Sequence, residues 1–213
     1  MNADAFIHDN SQLLAPPLVP EIQLHLASEV IPLWRKTEEE LAKIGVPPPY
    51  WAFAWAGGQA LARYVLDHPD IVAGKRVLDF GAGSGRVALA AARAGAAHVM
   101  AADIDPFAIA AIARNATVNN VTVETLTDNM IGSARMFDVI LVGDMCYERP
   151  LAERLMAWLK SSPAQVLLGD PGRSYFPKAG LTQLASYSVP TTRELEDREI
   201  RETGVWRLDR DPD

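Results

Sequence analysis

Apolar residues first settle into a helical rhythm after Gly58, where Ala60, Leu61, Tyr64 and Val65 fall on one face of a 3.6-residue repeat before Pro69 stops it. Short apolar runs and longer periodic stretches then alternate. RVLDF at 76–80 predicts a short buried strand, residues 84–94 an alanine-rich helix closed by Gly95, and residues 98–103 a second strand. Asp105 followed by Pro106 supplies a side-chain cap and a preset φ, so a helix is expected from there to about Asn119. A third strand is expected over 121–124. FDVILVG at 137–143 is a nearly continuous apolar run, as a strand covered on both faces requires. Residues 151–159 read as helix, 164–169 as another buried strand, and 184–189 and 205–208 as two final strands. This alternation implies βαβ crossovers, a parallel sheet and an α/β fold.

The first fifty residues follow a different pattern. Prolines at Pro16, Pro17, Pro20, Pro32, Pro47, Pro48 and Pro49 interrupt every periodic run. Residues 1–50 are therefore expected to form an irregular or helical segment lying on a main domain of residues 51–213. Within it a helix over 33–44 is expected: Thr37 and Glu40 have capping-box spacing, and Gly45 and Pro47 make a stop.

Composition narrows the function classes. The 213 residues suit one α/β domain with a short appendage, and 49% hydrophobic with 22% charged residues is ordinary globular composition. Twenty Lys and Arg against twenty-seven Asp and Glu leave a charge of -7, the wrong sign for generic nucleic-acid binding. A single cysteine, Cys146, fits a reducing compartment, and the four scattered histidines have no H-x-x-x-H pair for zinc. The first ten residues have neither a basic flank nor an apolar run, and no window approaches the roughly 20 apolar residues of a membrane span. A soluble, cytoplasmic, monomeric protein without a metal or a membrane partner is the expectation.

The stretch VLDFGAGSG at 77–85 carries the most chemistry. Glycines at Gly81, Gly83 and Gly85 follow a strand and precede a helix, where a missing Cβ lets a ligand touch backbone. The dinucleotide fingerprint G-x-G-x-x-G fails, because its third position is Arg86. Asp79, two residues before the first glycine, would repel a pyrophosphate yet could anchor an ammonium, so the ligand is expected to be cationic. Asp103, at the end of the next strand, can accept bonds from both hydroxyls of a ribose. Asp105 competes for that role but has a capping role available.

D-x-G-x-G-x-G with a following strand-end acid resembles the S-adenosyl-L-methionine site of seven-stranded, Rossmann-like methyltransferases. PYWAFAWAGGQALARYVLDHP, VLDFGAGSG, GDMCYE and GDPGR occur here in the order found in the electron transfer flavoprotein beta subunit lysine methyltransferases. The resemblance extends to LVPEIQLHL near the start and to Val205 and Trp206 near the end. It implies strand order 3-2-1-4-5-7-6 with the seventh strand antiparallel, and methyl transfer to lysine amines of a folded protein, the electron transfer flavoprotein beta subunit. Another protein acceptor, such as a ribosomal protein, a small amine such as nicotinamide, and a silent cofactor-binding module remain as alternatives.

The family's D-x-x-Y element maps to Asp144, Met145, Cys146 and Tyr147, which implies catalytic roles for Asp144 and Tyr147. Asp144 would grip and aim the amine and Tyr147 would add a hydroxyl or an aromatic wall; a helix cap is the plainer role for Asp144. The tryptophan of the WAFAW element lies beside the cofactor in the family. Trp55 is carried over on that basis and Trp51 is placed at the substrate, although a plain core plug also suits such aromatics. Gly57 and Gly58 would admit backbone to the same ligand. Asp128 and Asn129 stand where related enzymes hold the adenine amino group, and Asp170 and Arg173 are expected at the substrate mouth; ordinary turns explain both pairs too. Cys146 has no neighbouring histidine and is not read as a nucleophile. The charge run 194–202 is read as a solvated surface without a role.

Overall fold

A computed structural model describes residues 2–27, 43, 45, 47–191 and 196–210. The helix expected over 33–44 lies outside these residues apart from Lys43. The described residues form five α-helices, two short 3-10 helices and nine strands. The N-terminal part contains α1 (Ala3–Asp9) and the short strands β1 (Gln12–Leu14) and β2 (Leu24–Leu26), which pair antiparallel. The sheet domain follows as α2 (Ala56–Asp67), β3 (Arg76–Phe80), α3 (Arg86–Arg93), β4 (His98–Asp103), α4 (Pro106–Val118) and β5 (Glu124–Thr127). It continues with β6 (Val139–Gly143), α5 (Arg149–Ser161), β7 (Gln165–Asp170), β8 (Leu181–Pro190) and β9 (Ile200–Leu208).

The seven-stranded sheet has the order β5-β4-β3-β6-β7-β9-β8, and β9 runs antiparallel to both of its neighbours. Counted within the sheet, this is 3-2-1-4-5-7-6, the order the resemblance implies. Side chains alternate between faces with period two. Val77, Val99, Ala101, Leu141, Leu167 and Val205 pack in one core cluster with α2 and α3, whereas Leu78, Phe80, Met100, Ile140 and Leu168 pack in another with α5. Both faces are covered, which is why the central strands read as unbroken apolar runs.

Strand bounds differ from expectation where the chain is least apolar. The third strand of the sheet starts at Glu124 rather than 121, because Asn120 adopts a left-handed φ of +53° and Val121 donates back to the Ala116 carbonyl, prolonging the helix end. β8 and β9 extend well beyond the apolar cores expected for them, since polar residues such as the exposed Thr182 and Ser186 and the buried Thr203 continue the antiparallel ladder.

The N-terminal part is fastened to α4. Phe6 meets Phe107 edge-on at 5.1 Å, and Arg114 pairs with Asp4. The fully buried Asn115 accepts from the His25 amide at 2.7 Å and donates to the Ser84 carbonyl at 2.8 Å. One amide thus ties the N-terminal strand to the glycine loop. The Ala27 amide donates to the Ala52 carbonyl at 2.8 Å, which lays the aromatic segment 50–55 along the sheet's carboxyl edge.

Candidate active site

Strands β3, β4, β6 and β7 are parallel, so their carboxyl ends converge at one edge, where strand order reverses between β3 and β6. Ligands of open α/β sheets bind at such a point. A cavity of about 630 Å³ opens there, within the size range of small-molecule sites.

Its floor is the glycine loop. Gly81 and Gly83 have φ of +64° and +54°, a region in which a Cβ would be strained. Asp103 stands opposite: its Oδ2 accepts from the Gly83 amide at 2.8 Å and its Oδ1 from the Asp105 amide at 3.0 Å. Burial raises the Asp103 pKa against the pull of these amides. Asp105 caps α4 by accepting from Phe107 at 2.8 Å, and burial pushes its pKa up to about 6. Both acids line the cavity, as does Ile104, whose exposed apolar side chain offers a wall for a flat base. Asp128 and Asn129 line it too, in a turn where Asn129 Oδ1 accepts from the Ile131 amide.

Asp144 follows β6 with a φ of +58°, a costly conformation for a side-chain-bearing residue. Its amide donates to the Gly169 carbonyl at 3.0 Å. Its Oδ2 accepts from the Gly58 amide at 2.7 Å and its Oδ1 from Arg173 Nη2 at 2.8 Å. Burial raises the Asp144 pKa, and Arg173 and the Gly58 amide oppose that rise. Arg173 also lies 5.5 Å above the Trp55 ring. Trp55 donates its indole N–H to the Tyr50 carbonyl at 2.9 Å, and the Tyr50 ring sits 5.9 Å from that of Tyr147 at the cavity rim.

Ten of the expected site residues therefore share one cavity: Trp51, Trp55, Gly81, Gly83, Asp103, Asp128, Asn129, Asp144, Tyr147 and Arg173. Three are placed outside its lining. Asp79 is buried and accepts from the Ala88 amide at 2.9 Å, holding the first turn of α3, and burial pushes its pKa up to about 7. Gly85 starts α3 at φ +78° against Ile112. Asp170 is buried beneath the mouth, accepting from the Gly172 and Arg173 amides at 2.7 Å each, which shapes the loop that carries Arg173. Trp51 is almost fully buried beside Phe6 and Phe107, so it joins the N-terminal segment to the cavity wall. The Cys146 thiol is buried, and this pushes its pKa up to about 12, where it stays a neutral thiol.

Two charged groups of the site carry no local signal in the sequence. Arg86, noticed only as the residue that breaks the dinucleotide fingerprint, is buried and donates to the Trp55 and Phe53 carbonyls at 3.3 and 3.4 Å, pinning the aromatic segment. Burial lowers its pKa to about 10, so it remains a cation near neutrality. Glu196, inside the charge run read as surface, is fully buried against Arg173. Its place in a polar run gave no signal of that burial.

The chain has relatives of known name over nearly its whole length. It is 41% identical to the electron transfer flavoprotein beta subunit lysine methyltransferase of Danio rerio, over 98% of this chain and 84% of that one. The Homo sapiens protein of the same name is 37% identical, over 95% of this chain and 80% of its own length. The chain belongs to this family of lysine methyltransferases. A family model for ribosomal protein L11 methyltransferase matches residues 59–145, which include Gly81, Gly83, Asp103 and Asp144. Two of the solved structures that share the fold illustrate the likeness. One is a ribosomal protein L11 methylase from Lactobacillus delbrueckii, with TM-score 0.55 and 19% identity over 75% of this chain and 81% of that one. The other is a magnesium protoporphyrin IX methyltransferase from Synechocystis with bound SAM, with TM-score 0.55 and 15% identity over 72% of this chain and 78% of that one.

The cofactor of this lysine methyltransferase is S-adenosylmethionine, and the donor set fits it. Asp103, Asp105, Asp128 and Asp144 line the cavity with Arg173 as counter-charge, a balance that suits a cationic nucleoside and opposes a polyphosphate. Among the described residues no helix is long and apolar enough to cross a membrane.

Proposed function

We propose that the chain methylates lysine ε-amines on the beta subunit of an electron transfer flavoprotein. The observation that carries this reading is Asp144, held by an amide and a guanidinium at the cavity wall beside the aromatic rim. The relatives' names support the acceptor; the L11 match spans residues 59–145 and stops before Tyr147 and Arg173. In this reading Asp103 holds the ribose, Ile104 the base, Asp128 and Asn129 the adenine edge, and the glycine loop the amino-acid end. Bound S-adenosylmethionine supplies an electrophilic methyl group on a sulfonium.

A free lysine amine has a pKa near 10.4 and is an ammonium at neutral pH, with no lone pair to attack with. A carboxylate alone would strengthen that protonation, whereas desolvation weakens it. Asp144 therefore serves to grip and aim the nitrogen, and the proton leaves to water before attack. Tyr147 and Tyr50 form the wall along which the lysine stem enters, an apolar surface for its methylenes. Trp55 and Arg173 complete the entrance. Alignment of the nitrogen with the reacting carbon at roughly 3–3.5 Å supplies the remaining rate gain.

The net charge of -7 suits a lysine-bearing partner, and the single cysteine supports a reducing, cytoplasmic setting for a monomer that needs neither metal nor nucleic acid. Incubation of the chain with labelled S-adenosylmethionine and purified flavoprotein, followed by mass mapping, tests the proposal. Label on lysines of the beta subunit is the expected result. Label confined to another protein or to a small amine would overturn the acceptor assignment.

A further inference from the structure

Glu196 lies just before β9, far in sequence from the cavity, yet its side chain is fully buried beside Arg173. Arg173 Nη1 donates to Glu196 Oε2 at 2.9 Å and Nη2 to Oε1 at 2.7 Å, the paired-fork geometry of a guanidinium on a carboxylate. Nη2 carries two protons. The second goes to Asp144 Oδ1 at 2.8 Å. Glu196 also accepts from Arg201 Nε at 3.3 Å and from the Ala56 amide at 3.4 Å, the first residue of α2. The same helix supplies the Gly58 amide to Asp144.

This sharing has a chemical consequence. A lone arginine beside Asp144 would take the fork for itself, cover both carboxylate oxygens and cancel the charge. With Glu196 in the fork, Arg173 touches Asp144 through one proton only. The Gly58 amide keeps the other oxygen, and the remaining lone pairs of Asp144 stay available to an ammonium. We infer that Glu196 is a positioning residue that holds Arg173 in a one-point contact with Asp144 and so keeps that carboxylate open to the acceptor lysine. The inference rests on the lysine-transfer reading above.

The charged and titratable groups around Asp144 are Arg173 and Glu196, buried Arg86 on α3, Asp170 at the end of β7, and the Cys146 thiol. Neutralising Glu196 removes its own repulsion of the Asp144 charge and also frees Arg173 to change its contact with Asp144. Arg173 would then bind Asp144 more fully and lower its pKa.

The test is a double-mutant cycle on the full chain with Glu196→Gln, Arg173→Met and both together. Calorimetry with S-adenosylmethionine follows cofactor affinity, steady-state transfer follows activity, and carbon NMR of the Asp144 carboxyl follows its titration. Glu196→Gln should lower kcat for transfer by about tenfold with cofactor affinity changed less than about twofold, because it alters an interaction with the acceptor nitrogen. Its Asp144 midpoint should fall by more than in the Arg173→Met background, where only the direct loss of the Glu196 charge remains, and the loss of transfer should vanish in that background. Should Glu196→Gln fail to fold, Glu196→Asp keeps the charge but breaks the fork, and its smaller downward shift serves the same purpose. An unmoved Asp144 midpoint, or an equal loss of transfer in the Arg173→Met background, would overturn the inference. A wild-type chain that leaves the flavoprotein unlabelled would count against the acceptor reading alone, since the NMR titration needs no acceptor.

Discussion

Asp103 and Gly83 are joined by a 2.8 Å hydrogen bond from the loop amide to the strand-end carboxylate. That bond links the ends of β3 and β4 across the cavity floor, so one side chain both shapes the glycine loop and faces the ligand. Its other oxygen is held by the Asp105 amide, which fixes the carboxylate plane before any ribose arrives.

Asp103→Ala should therefore weaken S-adenosylmethionine binding by about tenfold or more, the range for losing one charge-assisted contact of about 1.5–3 kcal/mol. Asp103→Asn, which keeps an acceptor oxygen, should lose less. Asp105→Ala should mainly cost stability, about 1 kcal/mol for a lost helix cap. Calorimetry and thermal melts separate the two. A larger affinity loss in Asp105→Ala would move the ribose role to Asp105.

For Asp144 the informative substitution is Asn. Asparagine tolerates the left-handed backbone seen at φ +58°, so the fold is kept while the charge is lost. Asp144→Asn should bind the cofactor within about twofold of the native chain and transfer methyl groups on the order of 10²-fold more slowly, the penalty of a misplaced acceptor. Equal losses of binding and transfer would show that Asp144 serves the cofactor instead.

How far the chain announces this arrangement depends on the distance over which each contact acts. β3 and β4 have the bounds read from their apolar runs, because strands buried on both faces leave a compositional mark. The glycine loop and Asp103 are separated by one βαβ unit, and their spacing is legible as a motif. Glu196 is different. It meets Arg173 across 23 positions and Ala56 across 140, and no local pattern encodes either contact. Arg86 likewise reads as an ordinary first-turn arginine until the aromatic segment folds over it. Asp79 shows the converse, since its motif position suggests a ligand contact while its carboxylate closes on the Ala88 amide.

Asp79 also sets a pH dependence. Burial raises its folded-state pKa to about 7, against about 3.9 for an unfolded aspartate. The folded chain then binds this proton more tightly, so the stability linked to Asp79 is full at low pH and is lost as pH rises from about 4 through about 7. Asp79→Asn cannot ionise. Its stability relative to the native chain, read from melts at each pH, should climb between about pH 4 and about pH 7, with a slope of at most about 1.4 kcal/mol per pH unit. A native chain that gains on the Asn variant across that window would refute the assignment.

Gly169 offers a test of how closely α2 must approach the sheet. A Cβ on Gly169 would collide with the Gly57 carbonyl oxygen and come within 2.8 Å of Leu61 Cβ, and backbone atoms cannot swing aside as a flexible side chain could. α2 would have to lift, and with it the Gly58 amide that holds Asp144 Oδ2 at 2.7 Å. The Gly169 carbonyl that accepts from the Asp144 amide would shift as well. Gly169→Ala should cost about 1–3 kcal/mol, typical of overpacking. In a chain of this length that is a fall of about 2–4 °C in Tm for each kcal/mol. Transfer should fall further than cofactor affinity, because the cavity floor at Gly83 and Asp103 lies across β6 from the disturbed contact. Native melting and native kcat in Gly169→Ala would mean that the helix has slack at this crossing and that Asp144 is aimed without its help.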